Sequence, residues 1–454
     1  MIPEAFLSRM RRMPELDFEA FCAALESPAV RALRVNVLKT DADTVRALLP
    51  FSLEPLPFAE NGFYAPLDKV GALAAHHAGM FYMQDPGAMC SVPAAAPKSG
   101  STVLDMCAAP GGKSTQLAAA IAPHGVLVSN EYVPARCKIL QGNIERLGCR
   151  AAVVTNLSTD QLADFYGSYF DLVVADVPCS GEGMFRKYEI AGEEWSEENV
   201  RLCAERGRDI LQNAARCVKP GGQLLYSTCT FAPEENERQI DRFLDEHPDF
   251  SLLPVAPEIA NITANGVNFE DLSHDMRATR RFYPHVSPGE GQFVALLQKS
   301  IDAPVTPARA DNALALSKKD AQTAWEFLAQ TLNTAPDGRL VQLRDDLYLC
   351  PDIPLPPRGI FAAGVCVGTL QKGRLVPHHQ LFSAYGTDFR RKLSLAADDP
   401  RVAAYLRGEE IPVPELAGES GFAALLFEGA ALGGGKAVDG RFKNHYPKGL
   451  RNRN

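Results

Sequence analysis

Two cysteines in this chain are placed to do covalent chemistry. Cys179 in DVPCSG and Cys229 in LLYSTCT each follow a short apolar run that reads as a buried strand of a parallel sheet. In an open α/β sheet the carboxyl ends of the strands form the ligand crevice, so thiols emptying from two consecutive strands would face one pocket. A cysteine is more often an inert small apolar side chain than a nucleophile. The surroundings argue for chemistry here. Asp176 lies just ahead of the first thiol, Ser227 and Thr228 stand beside the second, and a glycine-rich turn, CAAPGGKS, lies upstream.

That turn looks like a phosphate-binding loop but lacks its first glycine. In GxxxxGK[ST], counting back from Gly112 and Lys113, the place is held by Cys107, so a P-loop NTPase is a poor fit. The small residues Ala108, Ala109, Gly111 and Gly112, after a strand ending in Asp105, let a cofactor approach the backbone at a helix N-terminus. At the end of the next strand stands Glu131, where an acid can accept both hydroxyls of a ribose. Turn and acid together indicate an adenosine cofactor, without separating a dinucleotide from S-adenosylmethionine.

The elements that must position these groups follow from the alternation of strand and helix between about residues 76 and 299, the pattern of a doubly wound parallel sheet. STVLDM, GVLVSNE, AAVVTN, FDLVVADVP, QLLYSTC and QFVALLQ read as strands. PARCKILQGNIERLG reads as a helix, with Pro134 at its first turn, Cys137, Leu140, Ile144 and Leu147 along one face, and Gly148 as the stop. A long helix is expected from near Ser196 to a stop at KPGG, and another in FAPEENERQIDRFLDEHP. Residues 1–75 form a separate unit, with a helix in FEAFCAALESP and a strand in RALRVNVLK whose Arg31, Arg34 and Lys39 could touch phosphate or simply face solvent. Ala and Pro dominate 300–312, which marks a linker. Beyond it, 313–454 reads as a β-rich module with helices in KDAQTAWEFLAQTL and DDPRVAAYLRG. Its basic tail carries Lys436, Arg441, Lys443, Lys448, Arg451 and Arg453, with Phe442 and Tyr446 among them, a mixture suited to RNA or to a disordered terminus.

Composition bounds the function. The 454 residues, 46% of them apolar, suffice for two to four domains with sizeable cores. A formal charge of −9 gives no global sign of a polyanion binder, so any RNA role must rest on local patches. The eleven cysteines include no CxxC pair, and MIPEAFLSRMRRM lacks the apolar core of a cleavable leader, which predicts a reduced, cytoplasmic chain. No apolar run reaches eighteen residues, so no membrane span is expected. The nine histidines, among them His76, His77, His378 and His379, show no ligand spacing, and no metal site is expected.

Taken in order, YMQDPGAM, DMCAAPGGKS, NEYVPAR, FDLVVADVPCSGEGMFRK, VKPGGQLLYSTCTFAPEENE and RRFYPHVSPGEGQFVA resemble the Nol1/Nop2/Sun family of RNA cytosine-C5 methyltransferases. RALRVNVLK, GVCVGTLQKGRLVPHHQLFSAYG and KNHYPKGLR extend the likeness to its bacterial RsmF-like branch, which modifies 16S ribosomal RNA. The resemblance implies a Rossmann-like S-adenosylmethionine-dependent methyltransferase domain over 76–299. It implies a small N-terminal α+β domain over 1–75 that orients RNA, and a C-terminal β-rich, PUA-like RNA-binding region over 313–454. It implies a monomer acting on 16S rRNA or the small ribosomal subunit, at cytosine 1407 of the decoding region or its neighbours.

Carried over by position, the cofactor loop falls on Cys107, Ala108, Ala109, Pro110, Gly111, Gly112 and Lys113, the ribose acid on Glu131, and an adenine contact on Asn156 or Ser158. Asp176 falls on the acid of the motif that also carries Cys179, and would touch both cofactor and base. Cys229 takes the nucleophile's place, Cys179 that of the thiol completing the reaction, and Lys113 would hold Asp176. Three positions depart from the family's habit: Ser158 where an acid is common, Gly87 where serine is frequent, and Gly434 where the tail often has tryptophan. The chemistry explains the residue types. Cytosine C5 is too weak a nucleophile to take a methyl group until a thiolate adds to C6 and turns the ring into an enamine. Two rivals from other classes are an NTPase and a non-catalytic RNA-binding scaffold of ribosome assembly. The first would bind ATP with magnesium and ignore S-adenosylmethionine, and the second would bind RNA and leave no 5-methylcytosine.

Overall fold

The structure is a computed structural model describing residues 2–66, 70–311 and 316–452. Six apolar strands form the centre: β1 (Thr102–Asp105), β2 (Val126–Asn130), β3 (Ala152–Thr155), β4 (Phe170–Asp176), β5 (Val218–Thr228) and β6 (Gln292–Lys299). They lie in the order β3-β2-β1-β4-β5-β6, parallel through β5, with β6 antiparallel to it. Helices cover both faces, which is why these strands are apolar without alternation. The parallel pairing brings Asp105, Asn130, Asp176 and Thr228 to one edge of the sheet, because each closes its strand.

Local rules account for most of the surrounding helices. The helix Pro134–Arg146 starts with proline at its first turn, buries Cys137, Leu140 and Ile144, and is followed by Gly148 at φ +70°. The long helix Glu197–Cys217 is capped by Ser196, whose hydroxyl accepts from Asn199 N. It ends at Cys217, just ahead of KPGG, as the sequence predicts. Lys219–Gly222 themselves fall inside β5 as an irregular start: Phe170 pairs with Val218 while Leu172 pairs with Gln223, so the extra residues bulge out.

The N-terminal sheet has the order Glu54–Leu56, Ala59–Tyr64, Ala32–Val35, Phe81–Met83, so a strand from beyond residue 76 closes it. Two of its three candidate phosphate cations are committed elsewhere. Arg34 is buried and donates to Gln84 Oε1 (3.0 Å) and Thr115 Oγ1 (2.8 Å). Lys39 Nζ donates to Ala78 O (2.9 Å), Ser383 Oγ (3.0 Å) and Ala431 O (3.0 Å), fastening the N-terminal and C-terminal regions together. Arg31 remains exposed.

The C-terminal region holds a four-stranded and a five-stranded sheet, and its strand Ile360–Ala363 crosses back to pair with β3 at the edge of the central sheet. The tail is folded rather than disordered: Ala430–Val438 and Arg441–Asn444 are strands of the five-stranded sheet. Phe442 and Tyr446 are core residues, 0% and 2% exposed, so they are closed to base stacking. Gly434 has no room for a side chain, because an added Cβ would stand 2.1 Å from the Phe382 ring, which fills the space. Residues 312 and Arg453, parts of the expected linker and tail, lie outside the described residues. All eleven cysteines are free thiols. Among the described residues no helix is long and apolar enough to cross a membrane.

Candidate active site

The two cysteines leave the ends of adjacent strands, β4 and β5, whose pairing sets Asp176 beside Ser227. Their sulfurs stand 3.3 Å apart, and Cys229 N also donates to Cys179 Sγ at 3.3 Å. The contact with Cys229 and burial together push the Cys179 thiol well up, so it keeps its proton. Either sulfur can donate the S–H of this contact.

The residues directly after the thiols lock this geometry. Ser180 Oγ and Thr230 Oγ1 meet at 2.8 Å. Glu235 accepts from Ser180 N (2.9 Å) and Ser180 Oγ (2.5 Å), while Glu182 Oε2 accepts from Thr230 Oγ1 (3.0 Å) and Phe231 N (3.0 Å). Two buried carboxyl groups thus clasp the two cysteine loops. Burial raises Glu235 to about 7, although its bonds from Ser180 oppose this.

Asp176 is held from both sides: Lys113 Nζ lies 2.8 Å from Oδ2, and Ser227 Oγ donates to Oδ1 at 2.6 Å. Burial alone would lower Lys113, but Asp176 outweighs it and the net shift is upward, so the ammonium is retained. A cavity of about 460 Å³ opens here, lined by Cys107, Pro110, Gly112, Lys113, Asp176 and Cys229. Ala108 and Ala109 line it too, Gly111 turns the loop at φ +111°, and the helix Gly112–Ile121 begins at its floor. Burial and the carboxylates of Asp105, Asp176 and Glu131 raise the Cys107 thiol, which makes it a wall rather than a nucleophile.

Glu131, Asn156 and Ser158 do not line this cavity. Glu131 is 4% exposed, accepts from Val133 N at 2.8 Å and lies 3.4 Å from Arg136 Nη1. Asn156 Nδ2 donates to the carbonyls of Glu131 and Tyr132, so it fixes the turn that carries the acid. The Ser158 hydroxyl accepts from Gln161 N in a capping box on the helix Thr159–Tyr166.

The cavity has further polar lining that motif spacing did not mark. Asp105 is buried, accepts from Ser114 Oγ (2.6 Å) through Oδ2, and leaves Oδ1 without a partner. Burial raises it to about 7, with the Ser114 bond opposing and Asp176 adding like charge. Asp85, in the QDPG segment, caps the helix Pro86–Ala95 and pairs with Lys187 at 2.6 Å. The Asp-Pro-Gly sequence signals that cap but not its partner. Gly87 in the same turn is forced: an added Cβ would meet Glu290 O at 2.5 Å. Among the described residues no group of three or more His, Cys, Asp or Glu could hold a metal.

Comparison with known proteins places the chain in a family. Residues 92–298 match a family described as 16S rRNA methyltransferase RsmB/F, residues 2–86 the N-terminal domain of 16S rRNA methyltransferase RsmF, and residues 392–452 the methyltransferase RsmF PUA domain. Ribosomal RNA small subunit methyltransferase F of Vibrio campbellii is 32% identical, over 99% of this chain and 97% of its own. The Vibrio parahaemolyticus protein of the same name is 33% identical with the same coverage. A methyltransferase homolog protein from Pyrococcus horikoshii, solved as a crystal structure, is 28% identical with a TM-score of 0.57, over 65% of this chain and 95% of its own. The chain therefore belongs to the ribosomal RNA small subunit methyltransferase F family, and is an S-adenosylmethionine-dependent methyltransferase built on a Rossmann-like domain.

Proposed function

We propose that this enzyme methylates C5 of a cytosine in 16S rRNA, at position 1407 of the decoding region or a neighbour, through a covalent adduct of Cys229 with C6 of the ring. One observation carries the reading: Cys229 opens into the cavity of the Gly111–Gly112 loop, in contact with a second thiol and beside the Lys113–Asp176 pair.

The residues present suit S-adenosylmethionine. The unpaired Asp105 Oδ1 can accept from its ammonium, the Cys107–Lys113 loop can cradle its backbone, and the acid Glu131 stands at the end of β2 for its ribose. When bound, S-adenosylmethionine supplies an electrophilic methyl group. Cys229 attacks as the thiolate: its sulfur bonds to C6, and the ring electrons move onto N3 and the C2 carbonyl oxygen. Asp176, placed by Ser227 and Lys113, acts on N3 in its acid form: its O–H passes the proton to N3 as that charge builds, and the Lys113 cation offsets the carboxylate left behind. Once C5 carries the methyl group, water entering the cavity takes the C5 proton. The C5–H electrons then restore the C5–C6 double bond and expel Cys229 as thiolate. Cys179, 3.3 Å from that sulfur, assists the expulsion.

Lys113 speaks against an NTPase, because its ammonium is committed to Asp176, and Asp105, Asp176 and Asp85 would repel a triphosphate. The same reading assigns residues 1–75 and 313–454 to holding RNA around the catalytic region at 76–299, with 300–312 as the connection. It makes the enzyme a cytoplasmic monomer, acting where the small subunit is assembled. Bisulfite sequencing of 16S rRNA from cells with and without the protein tests it. A 5-methylcytosine at or near 1407 is expected to vanish in its absence, and an unchanged pattern refutes the assignment.

A further inference from the structure

We propose that Gln292 is a further catalytic residue, whose side-chain amide donates a hydrogen bond to the O2 oxygen of the cytosine and holds the charge that the attack of Cys229 places there. The inference rests on the cytosine-C5 reading above and deepens it.

Gln292 opens β6 and lines the catalytic cavity. It is 3% exposed, and its Nε2 has no hydrogen-bond partner. A buried amide left unpaired costs about 1–3 kcal/mol, which a fold tolerates where a ligand completes the bond. Asp85, another residue of the cavity lining, is already occupied. Asp85 Oδ1 receives Gly87 N (2.8 Å), Ala88 N (3.4 Å) and Glu290 N (3.3 Å), and its Oδ2 receives Lys187 Nζ (2.6 Å). Glu290, whose Oε1 also lacks a partner, is tied to Arg186 through Oε2 at 2.9 Å and stands outside the cavity lining.

Position supports the role. β6 pairs Phe293 with Thr228, so Gln292 lies one step further along, toward Cys229. The backbones of Gly291 and Cys229 both crowd the same face of Gly183, at 2.7 and 2.9 Å from where its Cβ would stand. Nucleophile and amide donor thus enter one cavity from adjacent strands, while Asp176 comes from the strand on the other side of β5.

The chemistry asks for such a donor. As the sulfur–C6 bond forms, the electron pair of the ring is spread over N3 and, through C2, over O2. Asp176 serves N3. A donor on O2 already binds the carbonyl oxygen of the ground state and strengthens as charge gathers there in the adduct, and that gain is what lowers the barrier.

The test follows the rate at which the full-length enzyme traps RNA carrying 5-fluorocytosine, alongside methyl transfer to ordinary RNA. Gln292→Leu should lower both by about 100-fold, the usual loss for one such donor. Its affinity for S-adenosylmethionine, measured by calorimetry, should be unchanged, which also shows the variant folded. RNA with 2-thiocytosine at the target, a poorer acceptor, should slow the wild type but add little to the loss in Gln292→Leu. A leucine variant that traps RNA at the wild-type rate, or a thio effect of full size in that variant, overturns the role of Gln292. A wild type that traps no RNA overturns the cytosine-C5 reading itself.

Discussion

Placement divides the work of the two thiols at the scale of single residues. Cys179 is held as S–H by Cys229 and by burial, whereas Cys229 opens into the cavity within the field of the Lys113 ammonium. Replacing Cys179 by alanine is therefore expected to leave attack intact and slow release. A slow-migrating RNA adduct should accumulate on denaturing gels, and normal turnover without it would leave Cys179 a packing residue. Asp105 gives a pH prediction. Its native carboxyl keeps its proton to about pH 7, against an ordinary 3.8, so its burial makes folding stability fall as pH rises between those values. A cationic ammonium prefers the ionised form. Affinity for S-adenosylmethionine should then rise between pH 6 and 8 in calorimetry, and Asp105→Asn should flatten the rise. The thiols, Asp176 and the loop were legible in the sequence because each closes or follows an apolar strand. Asp105 and Gln292 were not marked as ligand groups, because a missing partner is visible only in three dimensions.

Among the elements, those governed by local rules were readable and those governed by distant pairing were not. Pro134, the spacing of Cys137, Leu140 and Ile144, and Gly148 define a helix by themselves. KPGG reads as a stop and the helix does end just ahead of it, yet its own place in β5 depends on Phe170 and Leu172 in another strand. Nor could spacing show Ile360–Ala363 joining β3, or Ser180 and Thr230 meeting across fifty positions of chain. One buried ion pair fastens the elements behind the nucleophile. Arg281 Nε donates to Glu237 Oε1 at 2.6 Å, and both side chains are fully enclosed, joining the strand Arg280–Phe282 to the helix Glu237–Glu246. Removing one partner strands the other charge. Glu237→Ala is expected to cost about 3–5 kcal/mol in denaturant unfolding, and a loss under about 1 kcal/mol would show that the pair contributes little.

Over the whole molecule, a chain of net charge −9 must attract RNA through a local surface. The folded tail offers one. Lys436 and Lys443 are exposed and directly opposite each other on neighbouring strands, a like-charge pair that is unfavourable unless an anion covers it. Deleting the tail would remove strands and the buried Tyr446, so charge substitution is the informative test. Lys436→Gln with Lys443→Gln should weaken RNA binding and reduce the slope of log affinity against log salt by about 1–2. An unchanged slope would place RNA elsewhere. Lys39, half-buried and bonded to Ala78, Ser383 and Ala431, is committed elsewhere; it fastens the N-terminal and C-terminal regions together.

The claim beneath all of this is a bond between one sulfur and a pyrimidine ring. Peptide mapping by mass spectrometry, after the wild-type enzyme is incubated with S-adenosylmethionine and 16S rRNA fragments carrying 5-fluorocytosine, reads that bond directly. The account predicts a nucleotide attached to the peptide containing Cys229. Attachment at Cys179 instead, or no attachment under conditions of full methyl transfer, would contradict it.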